Sequence, residues 1–150
     1  MDAGVQARNA MTNTKEKCVI ILPQTEGDLF CARYDGVMNV PEYTEIFIKQ
    51  SDAAIAKYGT IRLLIEFGPN FAGWDDEAAE LNFKTVLRQC PHVRKLVYIN
   101  PSKRTLAKAH MLLPADLKNN MRMFEAGQIA EAVEWMNRPE RTDDHKNPAA

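Results

Sequence analysis

The sequence predicts an α/β domain with a mainly parallel five-stranded sheet and four helices. Three observations carry that expectation. From residue 17 onward, apolar runs of strand length alternate with segments of helical spacing. Repeated β-then-α units imply right-handed crossovers, and therefore parallel strands. The first connection is too short for a crossover and suits an antiparallel strand at one edge.

Residues 17–22 (KCVIIL) form a short strand-like run rich in Val and Ile. Pro23 to Asp28 carry Pro, Gly and Asp and read as a turn. Residues 29–34 (LFCARY) make a second strand, ended by Asp35-Gly36. Asn39 supplies a capping side chain and Pro41 a first-turn proline for a helix reaching about Tyr58. Tyr43, Phe47, Ala54 and Tyr58 recur along it, and Gly59 closes it. Residues 61–67 (IRLLIEF) are almost continuously apolar, as a central strand covered on both faces would be. After the loop GPNFAGW, Asp75, Asp76 and Glu77 open a second helix and complement its positive end. Ala78, Leu81 and Leu87 are expected on its buried face, and Cys90-Pro91 ends it. Residues 93–99 (VRKLVYI) form the next strand. Asn100-Pro101-Ser102 starts a third helix with Leu106, Ala109, His110 and Leu113 on one side, and Pro114 stops it. Residues 121–124 (MRMF) are the last strand. Gln128 to Met136 form a closing helix with Ile129, Val133 and Met136 aligned.

The chain is 150 residues and 17.0 kDa, enough for one core that buries about two-thirds of the unfolded surface. Its hydrophobic fraction is 45% and its charged fraction 26%, as in globular domains. Lys+Arg 19 against Asp+Glu 20 leaves a net charge of -1, so the electrostatic case for a nucleic-acid partner is missing. No apolar run reaches the roughly 18 residues of a spanning helix. The first sixteen residues, MDAGVQARNAMTNTKE, have no apolar signal-peptide centre, and a cytoplasmic location is expected. Cys18, Cys31 and Cys90 are an odd set without a Cys-x-x-Cys pair, which fits reduced thiols. The expected organisation is a domain over 17–137 with flexible tails at 1–16 and 138–150.

The order of elements, with the stretch YGTIRLLIEFGPNFAGW, resembles the SpoIIAA-like family of STAS-type domains. The likeness runs from about Val19 to Trp135. It rests on the first helix with Tyr43, the strand Ile61-Arg62-Leu63-Leu64 and the loop Phe71-Ala72-Gly73-Trp74. The end Arg122-Met123-Phe124, followed by Glu131-Ala132 and Trp135, completes it. The resemblance implies a β/α superhelix of four turns. It also implies association with membranes, or binding of a small apolar or lipid-like ligand. Anti-anti-sigma STAS domains carry an Asp-Ser-Ser-Gly type loop whose serine accepts phosphate. Here the corresponding loop is GPNFAGWDD, and no Ser or Thr lies between Thr60 and Thr85. The phosphorylation switch therefore does not carry over to this position.

Two constellations are candidates for ligand binding. Phe71 and Trp74 follow the central strand at its carboxyl end, where parallel sheets place ligands. They either wall an apolar pocket or cap the sheet and staple the next helix, the commoner role for such rings. Ser102, Lys103 and Arg104 form the first turn of the third helix, with Leu106 and Lys108 just beyond. Cations there oppose the helix dipole at a cost of about 0.3–1 kcal/mol, which an anion at the same helix end would offset. The plain alternative is a solvated charged face over an ordinary core face. If the two strands are neighbours, an amphiphile can lay its tail between Phe71, Trp74 and Leu106 and its anionic head on Ser102, Lys103 and Arg104.

Glu66 either titrates in the apolar strand as a general acid or base or points to the rim and hydrogen-bonds the loop backbone. The second is the plainer role. His92 is expected exposed, His110 half-buried against the sheet, and a Cys31–His110 pair has no sequence support. No metal-ligand spacing, P-loop or catalytic set is present, and no cofactor is expected. The expected function is a non-enzymatic domain that binds a small apolar or lipid-like ligand, associates with a membrane surface, or both. The alternative is a regulatory protein–protein interaction module of STAS type lacking the phosphorylatable serine. A homodimer is a natural assembly for so small a domain with apolar helix surface.

Overall fold

In the computed structural model, which describes residues 17–139, the apolar runs become strands where expected. β1 (Val19–Ile21) and β2 (Leu29–Tyr34) pair antiparallel across the 23–28 turn. A two-residue strand β3 (Val37–Met38) follows. Helix α1 runs through three continuous segments, Val40–Glu42, Tyr43–Ile48 and Lys49–Tyr58, of which the middle one is a π-helix. Next come β4 (Ile61–Phe67), β5 (Gly73–Trp74) and α2 (Asp76–Gln89). The last elements are β6 (Val93–Ile99), α3 (Lys103–Leu112), α4 (Ala115–Asn119), β7 (Met121–Phe124) and α5 (Ile129–Met136).

The main sheet has the order β1-β2-β4-β6-β7, and only β1 is antiparallel. β3 and β5 form a separate parallel ribbon. That ribbon and α4 were not expected. They are two and five residues long, too short for any hydrophobic period to show. Of the expected tails, residues 1–16 and 140–150 lie outside the described residues.

Local chemistry sets the helix starts. Asn39 Oδ1 accepts the Glu42 N–H at 2.9 Å, Asp75 Oδ1 the Ala78 N–H at 2.8 Å, and Ser102 Oγ the Thr105 N–H at 3.1 Å. Each cap satisfies one of the backbone donors a helix start leaves orphaned. α1 ends at Gly59 with φ 83°, a conformation other residues adopt only under strain.

Alternation along the strands gives the sheet two apolar faces. Phe30, Ala32, Tyr34, Ile61, Ile65, Phe67 and Leu96 pack under α1, α2, α3 and α4. Leu29, Cys31, Leu64, Val97 and Ile99 face the opposite side, where α5 covers them with Ala132, Trp135 and Met136. The middle strand β4 is thus buried on both sides, as its unbroken apolar run predicts.

The buried faces of the helices depart from expectation. Leu87 is 46% exposed, and α2 instead turns Ala78, Asn82, Thr85 and Gln89 inward. The polar members have partners on α1. Asn82 Nδ2 donates to Tyr43 Oη at 2.8 Å, and Gln89 Nε2 donates to Ser51 Oγ at 2.9 Å and to Asp52 Oδ1 at 2.8 Å. A buried polar group fully hydrogen-bonded costs little, so this face need not be apolar. Tyr58 and His110 are likewise exposed rather than packed, because α1 and α3 turn other residues toward the sheet. Glu66 sits on the α5 side of β4 beside Arg33, at 3.4 Å, and does not bond the loop backbone.

α5 is fastened by cations at its carboxyl end. Lys95, buried in β6, donates to the carbonyls of Trp135 at 2.7 Å and Arg138 at 2.7 Å, and lies over the Trp135 ring at 4.4 Å. Arg62 Nη1 donates to the Met136 carbonyl at 2.8 Å while its other nitrogens hold Asp28. A register shift at the start of β4 and β6 frees Arg94 to reach the same carboxylate. Burial alone would push the Asp28 carboxyl up, but hydrogen bonds and charge from Arg62 and Arg94 outweigh it and hold it below 3.8. A carboxyl lowered in the folded state adds stability that is complete above its unfolded value and lost as pH falls through the folded one. Urea midpoints should therefore decline as pH drops below about 3.8. Asp28→Asn should be less stable at neutral pH and show a flatter acid decline.

Candidate functional site

A concavity lies between the sheet and helices α2 and α3. Its floor is aromatic because β2, β4 and β6 each bring a ring to this face: Tyr34, Phe67 and Tyr98. The π-helical segment of α1 adds Tyr43 and Phe47, stacked at 5.3 Å with planes only 4° apart. Trp74, on the β5 ribbon, meets Tyr43 edge-on at 5.0 Å and Tyr34 at 5.6 Å. These edge-to-face contacts suit the quadrupoles of the rings and fix their positions. α3 supplies Thr105, Lys108, Ala109 and Leu112 as the opposite wall. The cavity volume is about 80 Å³, room for several waters or a few carbons, and one side of the cleft is open.

One polar relay crosses this apolar cleft. Lys108 Nζ donates to Asn82 Oδ1 at 3.0 Å, and Asn82 Nδ2 donates to Tyr43 Oη at 2.8 Å. The ammonium also lies 5.2 Å from the centre of the Trp74 ring. Carboxamide oxygen and ring face both favour the charged form, whereas burial lowers the Lys108 pKa from its ordinary 10.5. Burial pushes the Tyr98 phenol up to about 12 and the Tyr43 phenol higher still, so both stay neutral. No acidic side chain lines the cleft.

The six residues singled out from sequence fall in three places. Trp74 lines the cleft. Phe71 lies outside it, packed at 5.2 Å from Phe67 and 6.2 Å from Tyr34, in the capping role also considered for it. Ser102 caps α3, while Lys103 and Arg104 are exposed and Leu106 is half-buried, and none of these four lines the cavity. β4 and β6 are neighbours, and Asn100 ties their ends by donating to the Phe67 carbonyl at 3.1 Å. The rim therefore exists as expected, but the cation that enters the cleft is Lys108, one turn further along α3. The signal was present in the sequence as a lysine three residues beyond a threonine on the same helix face.

Cys31 lies on the α5 side of the sheet and His110 on the exposed surface of α3, so the two do not meet. Among the described residues, no group of three His, Cys, Asp or Glu side chains is arranged to hold a metal ion. Burial pushes the Cys31 thiol up to about 12 and Cys18 to about 11. Among the three cysteines, half-buried Cys90 should therefore be the first to react with a thiol reagent in native protein. Cys18 and Cys31 should react only on unfolding, which a timed mass-spectrometric alkylation reads directly.

Among the described residues, no helix is long and apolar enough to cross a membrane. A comparison with curated proteins gives no match. Among solved structures, the chain is similar to an uncharacterized protein of the DUF3478 family from Shewanella loihica PV-4, which has a SpoIIAA-like fold. The two share 15% identity at a TM-score of 0.57, over 79% of this chain and 93% of that one. The SpoIIAA-like family model matches residues 29–137, which include every strand of the main sheet but β1 and both helices of the cleft. The chain belongs to the SpoIIAA-like family, whose sheet and helix order it reproduces.

Proposed function

We propose that this domain is a non-enzymatic binding module that takes a small apolar or lipid-like molecule into the α2–α3 cleft. The observation that carries this is the cavity itself. It is walled by aromatic rings and crossed by a single relay of Lys108, Asn82 and Tyr43. Ligand pockets characteristically combine an apolar lining with a few fixed polar groups. Contact with a membrane surface belongs to the same reading. Phe83 and Leu87, one turn apart on α2, are each 46% exposed, Met111 on α3 is 79% exposed, and Lys103 and Arg104 are exposed at the start of α3.

Native mass spectrometry of freshly purified protein tests the cleft. Wild type should carry added mass that organic extraction removes. Ala109→Leu, which puts three more carbons into the cavity from a buried position, should lose that mass while still unfolding cooperatively, at a stability cost of about 1–3 kcal/mol at most. Identical retention by both forms would contradict the cleft as the site. Flotation with anionic vesicles should weaken with salt, and again in a Lys103→Ala, Arg104→Ala double variant.

A second reading is a docking module for a protein partner, favoured by the same outward apolar pair on α2. It predicts a complex that survives lipid extraction and is lost on Phe83→Ser with Leu87→Ser.

A further inference from the structure

We infer that the α2–α3 cleft recognises a monocarboxylate with an apolar chain, its carboxylate oxygens held by Lys108 Nζ and the Thr105 hydroxyl. This rests on the cleft being the binding site, and names what binds there.

The argument starts from charge. Lys108 is the one charged residue lining the cleft, and no carboxylate of the described residues lies within ion-pair distance of it. The other cations near the helices of this side are differently placed. Arg88 holds Asp52 at 2.8 Å and Lys84 holds Glu80 at 3.5 Å, while Lys103 and Arg104 stand in solvent. A half-buried ammonium without an anion is costly beside apolar walls, and a ligand anion removes that cost.

The donor count then selects the anion. Nζ has three protons, and only one is engaged, by Asn82 Oδ1. Thr105 lies three residues before Lys108, on the same face of α3, and both line the cavity. The Thr105 Oγ1 accepts from Ser102 Oγ at 3.1 Å, which leaves its own proton to give. One cation and a neighbouring hydroxyl match one negative charge spread over two oxygens. A phosphate monoester dianion would stay undercompensated with a single cation. The aromatic floor of Tyr34, Phe67 and Tyr98 receives the body: about 80 Å³ holds its first few carbons, and the rest runs out along the open side of the cleft.

An NMR titration of the full chain with octanoate and with octanol, read at the Trp74 indole N–H, tests this. Wild type is expected to bind octanoate at least about tenfold more tightly than octanol. Lys108→Met keeps the alkyl stem and removes the charge. It should weaken octanoate about ten- to a hundredfold, leave octanol within about twofold, and stay folded at the titration temperature although Asn82 Oδ1 loses its donor. Lys108→Arg should retain the preference, and Lys108→Gln provides a second neutral form should the methionine variant fold poorly. Equal affinity of wild type for the two probes overturns carboxylate recognition and leaves the cleft standing as a site. So does undiminished octanoate binding by a folded neutral variant. Absence of any shift with either probe overturns both.

Discussion

Lys95→Met should lower the unfolding free energy by about 2–4 kcal/mol, with an unchanged denaturant slope. Methionine fills much of the same volume, so the loss isolates the polar role of the ammonium. That group donates to the carbonyls of Trp135 and Arg138, each at 2.7 Å, at the end of α5. The Trp135 carbonyl also accepts from the Arg138 N–H at 3.1 Å, so the ammonium is its second donor, and losing charge-assisted bonds of this kind costs about 1.5–3 kcal/mol each. A cation there also meets the negative end of the helix dipole. The contact with the Trp135 ring at 4.4 Å goes with the charge. Without this fastening, the sheet face of Leu64, Val97 and Ile99 loses its only helical cover among the described residues. A midpoint indistinguishable from wild type in urea would mean that Trp135 and Met136 hold α5 by packing alone.

Trp74→Ala should cost about 3 kcal/mol and also remove ligand retention. The ring is a wall of the cleft and a partner of Tyr34, Tyr43 and Phe71, at 5.6, 5.0 and 6.3 Å. Its removal opens a void in that ring cluster and takes away the surface under Lys108. Stability and binding are separable by comparing Trp74→Phe, which keeps an aromatic body. That variant should recover most of the stability and part of the retention. A full loss of melting temperature in Trp74→Ala with unchanged retention would assign the ring to packing only.

The strands were legible because their signals are local. Ile61–Phe67, Val93–Ile99 and Met121–Phe124 begin and end where the apolar runs do. Asn39, Asp75 and Ser102 act as caps because their side chains need only the next turn. The inward face of α2 was not legible. Asn82 and Gln89 are buried because Tyr43 and Ser51 meet them from 39 and 38 residues away, and no local period carries such a pairing. Lys95 was visible as a charge inside an apolar strand, but its partners lie on a helix 40 residues later. The place of Trp74 after the central strand left a pocket wall and a packing role both open, and the ring lies beside the cleft and against Tyr34 and Tyr43. Which cation joins it depends on the rotation of α3 against α2, and that turns Lys108 inward while Lys103 and Arg104 stay in solvent.

The central claim is that an apolar chain enters between the sheet and α2–α3. Isotope-filtered NOE spectra of the protein with octanol test it without depending on any charge. Contacts from the octyl protons to the ring protons of Tyr98 and Trp74 and to the Leu112 methyls are predicted. Contacts confined to Phe83, Leu87 and Met111, or none at all, would contradict it.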